Sequence, residues 1–269
     1  YRGSNREVEM TVARIRIFNS IFSLSLDPVA GGQIMLTDFS DTVRFTGPSP
    51  HLWRAPTAND LDSWTVWRGR MFAMTEGMGN DVANGWRSYG LDELSHAFSE
   101  WKIVRMNERM VSLKADVLSR GVDYRTVFTT GYHLNVYPDG SLELKTDIES
   151  HHRMPDWLPV AGIQFELERS LEKLSWYGKG PFETYPDRKS GAKTGIWKTH
   201  VSDEYQPYLI PQEYGNHTDT RWLALKNHSG KGIKFEGNQK FHFSVHEYST
   251  DNLTRAQYPF HLQKHARVL

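Results

Sequence analysis

The run Gly162-Ile163-Gln164-Phe165-Glu166-Leu167-Glu168 sets Ile163, Phe165 and Leu167 against Gln164, Glu166 and Glu168 without a break. Successive side chains of a strand point to opposite faces, so the pattern predicts a half-buried antiparallel strand with one dry and one wet face. The same period recurs along the chain. Leu142, Leu144 and Ile148 alternate with Glu143, Lys145 and Asp147; Leu113, Ala115 and Val117 with Lys114, Asp116 and Leu118; Phe241, Phe243 and Val245 with His242, Ser244 and His246. Between such runs stand Tyr137-Pro138-Asp139-Gly140, Asp27-Pro28-Val29-Ala30-Gly31-Gly32 and Asn107-Glu108, turn chemistry that predicts consecutive hairpins. Roughly a dozen or more strands with little helical pattern predict an all-β, antiparallel two-sheet sandwich rather than βαβ units. Helical signal is confined to Trp64–Met74 and to the segment after Ser249-Thr250-Asp251, where a capping residue precedes Leu253 and Ala256.

A chain of 269 residues fits one large all-β domain, 1–269, without division. Its 32 basic residues balance 32 acidic ones, which removes the electrostatic footprint of a nucleic-acid or anionic-membrane partner. The lack of cysteine excludes a disulfide framework, a thiolate zinc site and a cysteine nucleophile, and leaves the compartment open, with the cytoplasm as the expectation. No run approaches the roughly 18 apolar residues of a membrane-spanning helix. Tyr1-Arg2-Gly3-Ser4-Asn5-Arg6 is no signal peptide, and the start on a residue other than Met gives the expectation of an upstream portion. Aromatics make up 13% of the residues, with nine Trp, against 38% apolar in all, so rings either carry much of the core or meet a ligand. Any single Trp is read first as core.

Two stretches, Asn59–Ser95 and Gly178–Asp219, carry little strand periodicity, and long irregular segments in a compact β domain are often functional. The second holds Glu183, Asp187, Asp203, Glu204, Glu213 and Asp219, any two of which could form a glycosidase acid and nucleophile pair, although charged loop residues are mostly solvated. His151-His152, His242 with His246, and His261 with His265 have spacings that metal ligands use, the last at the helical i, i+4 interval. No third ligand accompanies them, which favours surface or hydrogen-bonded histidines. Gly178-Lys179-Gly180-Pro181 runs into proline rather than a helix and cannot cradle a pyrophosphate. Arg54, Arg188 and Arg221 each lie beside an aromatic or a turn and read first as packed arginines that hold loops, ahead of sugar contacts. Pro181, Pro186 and Pro211 fix loop direction.

Three longer stretches go further: Trp53-Arg54-Ala55-Pro56-Thr57-Ala58-Asn59-Asp60, then Trp176-Tyr177-Gly178-Lys179-Gly180-Pro181-Phe182-Glu183-Thr184-Tyr185-Pro186-Asp187-Arg188, then Tyr208-Leu209-Ile210-Pro211-Gln212-Glu213-Tyr214-Gly215-Asn216-His217-Thr218-Asp219-Thr220-Arg221-Trp222. In order and spacing they resemble the signature stretches of the C-terminal, small-chain domain of glycoside hydrolase family 2 β-galactosidases. The resemblance runs from near Val12 to Tyr258–His265. It implies a supersandwich of two large antiparallel sheets, like that of galactose mutarotases, set beside a (β/α)8 catalytic barrel that carries the acid/base and nucleophile glutamates. It also implies that the domain covers the barrel's mouth. Asn59, Asp60 and the loop through Trp86 would then lie nearest substrate, with Trp64 or Trp67 stacking on the aglycone. An adjoining domain can supply the wall and a stacking ring to a partly dry pocket.

Arg54, Glu183, Arg188, Glu213 and Arg221 become candidate contacts to sugar or to a neighbouring domain. The resemblance implies no metal or cofactor in this domain, Mg or Na belonging to the catalytic one. The implied partners are the upstream barrel, a galactoside, and further copies in a homo-oligomer, with no nucleic acid and no membrane. Ala58 stands where the family usually has Asp, which weakens the transfer of a contact at that position. Family members also continue past the position of Leu269, so the expectation is a domain truncated at its C-terminal end. Two readings from other classes stand beside this one. One is an independent aldose mutarotase, with Glu213 and nearby histidines as base and acid. The other is a carbohydrate-binding module that works through exposed Trp.

Overall fold

The computed structural model describes residues 7–11, 14–27, 33–38, 44–61, 82–122, 127–151, 155 and 157–269. The chain forms two compact units, one made of Tyr1–Trp53 and Asp81–Gln164, the other of Arg54–Asn80 and Phe165–Leu269.

The first unit opens with an antiparallel meander: β1 (Glu7–Thr11), β2 (Arg14–Phe18), β3 (Phe22–Asp27), β4 (Gln33–Asp38) and β5 (Arg44–His51) pair in chain order. Ile15, Ile17, Phe22, Leu24, Leu26 and Ile34 fill its dry face. After a short helix, α1 (Val82–Ser88), come β6 (Ser95–Phe98), β7 (Lys102–Met106), β8 (Val111–Arg120), β9 (Val127–Val136) and β10 (Leu142–Ser150). They form a second antiparallel sheet in the order β10-β9-β8, with β6 and β7 both paired to β8. On β8 the expected alternation holds, with Leu113, Ala115 and Val117 buried and Lys114 and Asp116 exposed. All three anticipated hairpins form, as β3/β4, β7/β8 and β9/β10. In the last, the Gly140 N–H donates to the Tyr137 carbonyl at 3.1 Å, and Gly140 takes φ 84°, where a side chain would be strained.

The second unit begins at Phe165, inside β11 (Gly162–Leu167), whose Glu166 and Leu167 pair with β16 (Arg267–Val268), and goes on to β12 (Lys173–Gly180), β13 (Lys193–His200), β14 (His217–Lys226) and β15 (Gly232–Phe243). The last four form an antiparallel sheet in the order β13-β12-β14-β15. A second helix, α2 (Thr250–Arg255), precedes β16 (Arg267–Val268). The α2 start is the one the sequence suggests: the Asn252 N–H donates to the Ser249 hydroxyl at 3.1 Å. The all-β antiparallel expectation therefore holds. The helical signal at Trp64–Met74 lies outside the described residues.

The two stretches expected to be irregular contain regular structure. Helix α1 falls in the first; it is two turns long, buries only Ala83 and Trp86 and carries Gly85 inside it, too little for a helical period to register. In the second, β12 extends to Gly180, β13 occupies Lys193–His200, and β14 begins at His217. Strand β13 sits at the edge of its sheet and has no fully buried face, Ile196 being 62% exposed, so it lacks the apolar alternation that marks β8. The spacing of His261 and His265 is not helical either, since His261 closes a single 3-10 turn, Pro259–His261, and the His265 N–H donates to the Glu247 carbonyl at 2.7 Å.

Glycines tighten the β13-β12-β14-β15 sheet. A Cβ on Gly178 would lie 2.6 Å from Thr220 Oγ1 and 2.9 Å from Thr220 Cα. Gly178→Ala is expected to cost about 1–3 kcal/mol through overpacking. Exposed Gly85→Ala in α1, where a Cβ meets nothing within 4 Å, should gain about 0.5–1 kcal/mol. Thermal or denaturant unfolding of the two variants checks the contrast, and equal effects would refute it.

Candidate functional site

All five residues anticipated as sugar or domain contacts belong to the second unit. The loop after Arg54 is organised by Asp60, which is 8% exposed. Arg54 donates to both Asp60 oxygens, at 2.6 and 3.1 Å, while the Thr57 N–H and hydroxyl donate to Oδ2 at 2.7 and 2.8 Å. A bidentate arginine and two neutral donors use most of what a carboxylate can accept. Asn59 and Ala58 at the loop's crest are exposed. The loop is joined to the segment before β14 by two bonds: the Ala58 N–H donates to Gln212 Oε1 at 3.0 Å, and the Glu213 N–H to the Ala55 carbonyl at 3.3 Å. Beneath them Ala55, Tyr214 and Leu253 form a buried cluster flanked by Tyr205, Tyr208 and Tyr248.

Glu183 is the second organiser. Its side chain is 9% exposed. It receives the Tyr208 hydroxyl and the Arg188 guanidinium on Oε1, and the Gly215 N–H on Oε2 at 2.8 Å. Arg188 also lies over the Tyr185 ring, 5.3 Å from its centroid. The adjoining Thr184 is fully buried; its N–H donates to the Asn216 carbonyl and its own carbonyl accepts from Asn216 Nδ2, both at 2.6 Å, while its hydroxyl accepts from the Thr218 N–H at 2.9 Å. Arg188 and Arg54 thus hold loops, as packed arginines would. Arg221 also packs, 4.7 Å over the Tyr177 ring.

Glu213 differs from its neighbours. Among the described residues its carboxylate has no hydrogen-bond or ion-pair partner, and desolvation, aided by the nearby Glu183 charge, pushes its pKa up against the pull of His246 and Arg54. The buried Tyr185 hydroxyl likewise lacks a partner among the described residues, and its pKa is raised by burial first and then by the charges of Glu213 and Glu183. The histidines close by are occupied. His246 Nε2 donates to the Tyr214 carbonyl at 2.7 Å, and fully buried His217 donates from Nε2 to Glu204 at 2.6 Å. Glu247 is 8% exposed; burial pushes its carboxyl up, but hydrogen bonds from Lys264 and Arg267 outweigh that and hold it below the ordinary range.

Asp219 stands at φ 54°, left-handed for a non-glycine residue, where the β14/β15 register shifts. Lys189 Nζ reaches its carboxylate at 3.3 Å. Trp86, in the first unit, is 3% exposed, donates from its indole N–H to the Trp157 carbonyl at 3.1 Å, and meets Trp53 edge-on at 6.2 Å. Trp64 and Trp67 lie outside the described residues. Among those described, no group of three or more His, Cys, Asp or Glu could hold a metal ion. Tyr208 and the His217–Glu204 pair escape sequence reasoning, because their partners are brought together only by the fold; the pairing of Tyr208 with Glu183 spans 25 residues.

A family model described as beta galactosidase small chain matches residues 19–269. A β-galactosidase of Priestia megaterium is 29% identical over 192 residues, covering 71% of this chain and 16% of that protein. One from Kluyveromyces lactis is 30% identical over 225 residues, 79% of this chain and 19% of its own length. One from Halalkalibacterium halodurans is 25% identical over 275 residues, 97% of this chain and 24% of its own length. The chain therefore spans no more than about a quarter of these relatives.

Glu183→Ala should lower stability by about 2–3 kcal/mol, because the Tyr208 hydroxyl and the Gly215 N–H lose their acceptor. Arg188→Ala, whose side chain is 59% exposed, should cost less than about 1 kcal/mol. Similar losses for both in denaturant titration would refute the assignment of Glu183 as the hub. The raised pKa of Glu213 predicts a pH effect of definite sign. Its folded form holds a proton that the unfolded chain releases first, so stability falls as pH rises through the ordinary carboxylate range toward the raised value. Glu213→Gln should unfold at higher temperature than the parent near neutral pH, with the gain vanishing in acid; a gain that persists in acid would contradict it.

Proposed function

Because the chain belongs to the β-galactosidase small-chain family, we propose that it acts as the non-catalytic C-terminal domain of a β-galactosidase, an enzyme that hydrolyses terminal non-reducing β-D-galactose residues of β-D-galactosides. The observation that carries this reading is the state of the loop carboxylates. Glycoside hydrolysis needs two, one to donate a proton and one to attack or to activate water. Asp60, Glu183, Glu204 and Asp219 are each committed to donors within the second unit, and of these five carboxylates the half-buried Glu213 alone has no donor among the described residues. One carboxylate of that kind does not make a pair.

The domain's contribution is then a wall. The loops at 54–61, 181–190 and 204–216 are cross-linked by hydrogen bonds into one rigid surface, and a surface of that kind can border a sugar site and exclude water from it. The same reading includes a supersandwich arrangement, an upstream (β/α)8 catalytic domain, a galactoside as substrate of the whole, a homo-oligomer and a cytoplasmic address. Metal ions, Mg or Na, are assigned to the catalytic part.

An independent aldose mutarotase is the second reading, favoured by the unpartnered, raised-pKa carboxyl of Glu213 near His246. Against it, the Nε2 protons of His246 and His217 are already given to Tyr214 and Glu204.

Galactoside hydrolysis separates the readings. A full-length enzyme lacking residues 1–269 should lose nearly all turnover of nitrophenyl β-galactoside and regain it when the chain is added back. Undiminished turnover in the shortened enzyme would reject the accessory role. An accelerated loss of optical rotation in fresh α-galactose, produced by the chain alone, would establish the mutarotase instead.

A further inference from the structure

The short segment Tyr208–Gln212 reverses the usual order of a loop. Leu209 and Ile210 are 88% and 52% exposed, while Tyr208 turns inward to hydrogen-bond Glu183 and Pro211 is buried. Phe182, next to Glu183, is 54% exposed. The bond from Tyr208 to Glu183 draws the two chain segments together, so Phe182, Leu209 and Ile210 flank one hydrogen-bonded joint.

That joint is fixed from several sides. The Tyr208 N–H donates to the Gln206 carbonyl at 2.8 Å, Gln212 accepts from Ala58, and Gly215 donates to Glu183. A solvent loop would not be expected to invest this many directed bonds in displaying two neighbouring branched aliphatic side chains. Pre-organised display of apolar groups lowers the ordering cost of an interface, and an apolar centre within a polar rim is the usual anatomy of a contact surface. Exposed Asp187 and Arg188 supply polar groups beside it.

The chemistry narrows the occupant. Leu209 and Ile210 offer no π face, so a sugar gains little from them. Three apolar residues on a chain of zero net charge make a poor membrane anchor. A protein surface remains, and the chain's length says which. Three β-galactosidase relatives devote only 16%, 19% and 24% of their length to the region this chain matches, so most of such an enzyme lies outside it. We propose that the Phe182–Leu209–Ile210 ridge is the surface on which the remainder of the β-galactosidase polypeptide seats, a proposal that rests on the accessory-domain reading above.

The test compares the full-length enzyme with the 269-residue chain alone. Hydroxyl-radical footprinting should label Phe182, Leu209 and Ile210 several-fold less in the full-length enzyme than in the chain. The double substitution Leu209→Ser with Ile210→Ser should weaken add-back of the chain to the shortened enzyme, raising the half-saturating concentration on the order of tenfold or more. Its melting temperature should stay unchanged, since both side chains are exposed already. Equal labelling in the two forms, or unaltered add-back by the double variant, overturns the ridge. Protection in the chain alone that grows with its concentration assigns the ridge to a second copy and also overturns the proposal. The accessory-domain reading fails separately, if removing residues 1–269 leaves turnover intact.

Discussion

The second unit turns on one carboxylate. Glu183 draws in Arg188 from its own turn, Tyr208 from the segment before Pro211 and Gly215 from the approach to β14. Phe182, Leu209 and Ile210, the large apolar residues at this joint, face solvent instead. Burying an ionised group costs several kcal/mol unless it is well paired. Donors from three points of the chain offset that cost, and each is ordered in return. A polar hub therefore positions a surface whose apolar residues are free to face outward.

The sheet beside it shows why the long signature stretch Trp176–Arg188 has its composition. Trp176 is buried, donates from its indole N–H to the Lys179 carbonyl at 2.9 Å, and meets the His217 ring at 4.2 Å between centroids, tilted by 39°. Gly178 leaves room for Thr220, and a Cβ on Gly180 would lie 2.7 Å from Trp197. Trp197 in turn donates to the Gly178 carbonyl at 3.2 Å. Much of a stretch that looks like a binding motif is thus accounted for by two indoles crossing a narrow place in a sheet. What remains after packing is Glu183 and the turn that follows it.

The parts legible in the sequence were those encoded locally. Strands with one buried face declared themselves by alternation, as β8 did along its length and β11 at Phe165 and Leu167, and the hairpins by their turn residues. The grip of Arg54 on Asp60 spans six residues and suits the reading of Arg54 as a loop-holding arginine. Strand β13 was illegible because an edge strand with no buried face has no reason to alternate. Helix α1 was illegible because two buried residues in two turns make no period. The partners of Glu183 lie up to 32 residues away, and nothing local marks Gly215 as a donor to it. Long-range polar pairing is decided by topology, and topology is what a single sequence encodes least directly.

Glu183 and Glu213 sharpen the point, because the same cluster treats them oppositely. Glu183 has three donors; Glu213 has Arg54 nearby, but Asp60 already holds that guanidinium in a two-point grip with better geometry than a single bond could offer. Glu213 is left to lower its cost by taking up a proton, which is the physical content of its raised pKa. The stretch from Leu209 to Tyr214 accordingly holds aliphatic side chains in solvent and a poorly compensated, half-buried carboxyl beside them, the reverse of what folding an isolated loop would select. Such an arrangement costs stability in the chain by itself, and it becomes intelligible if the free energy is recovered where the loop's outer face meets another surface.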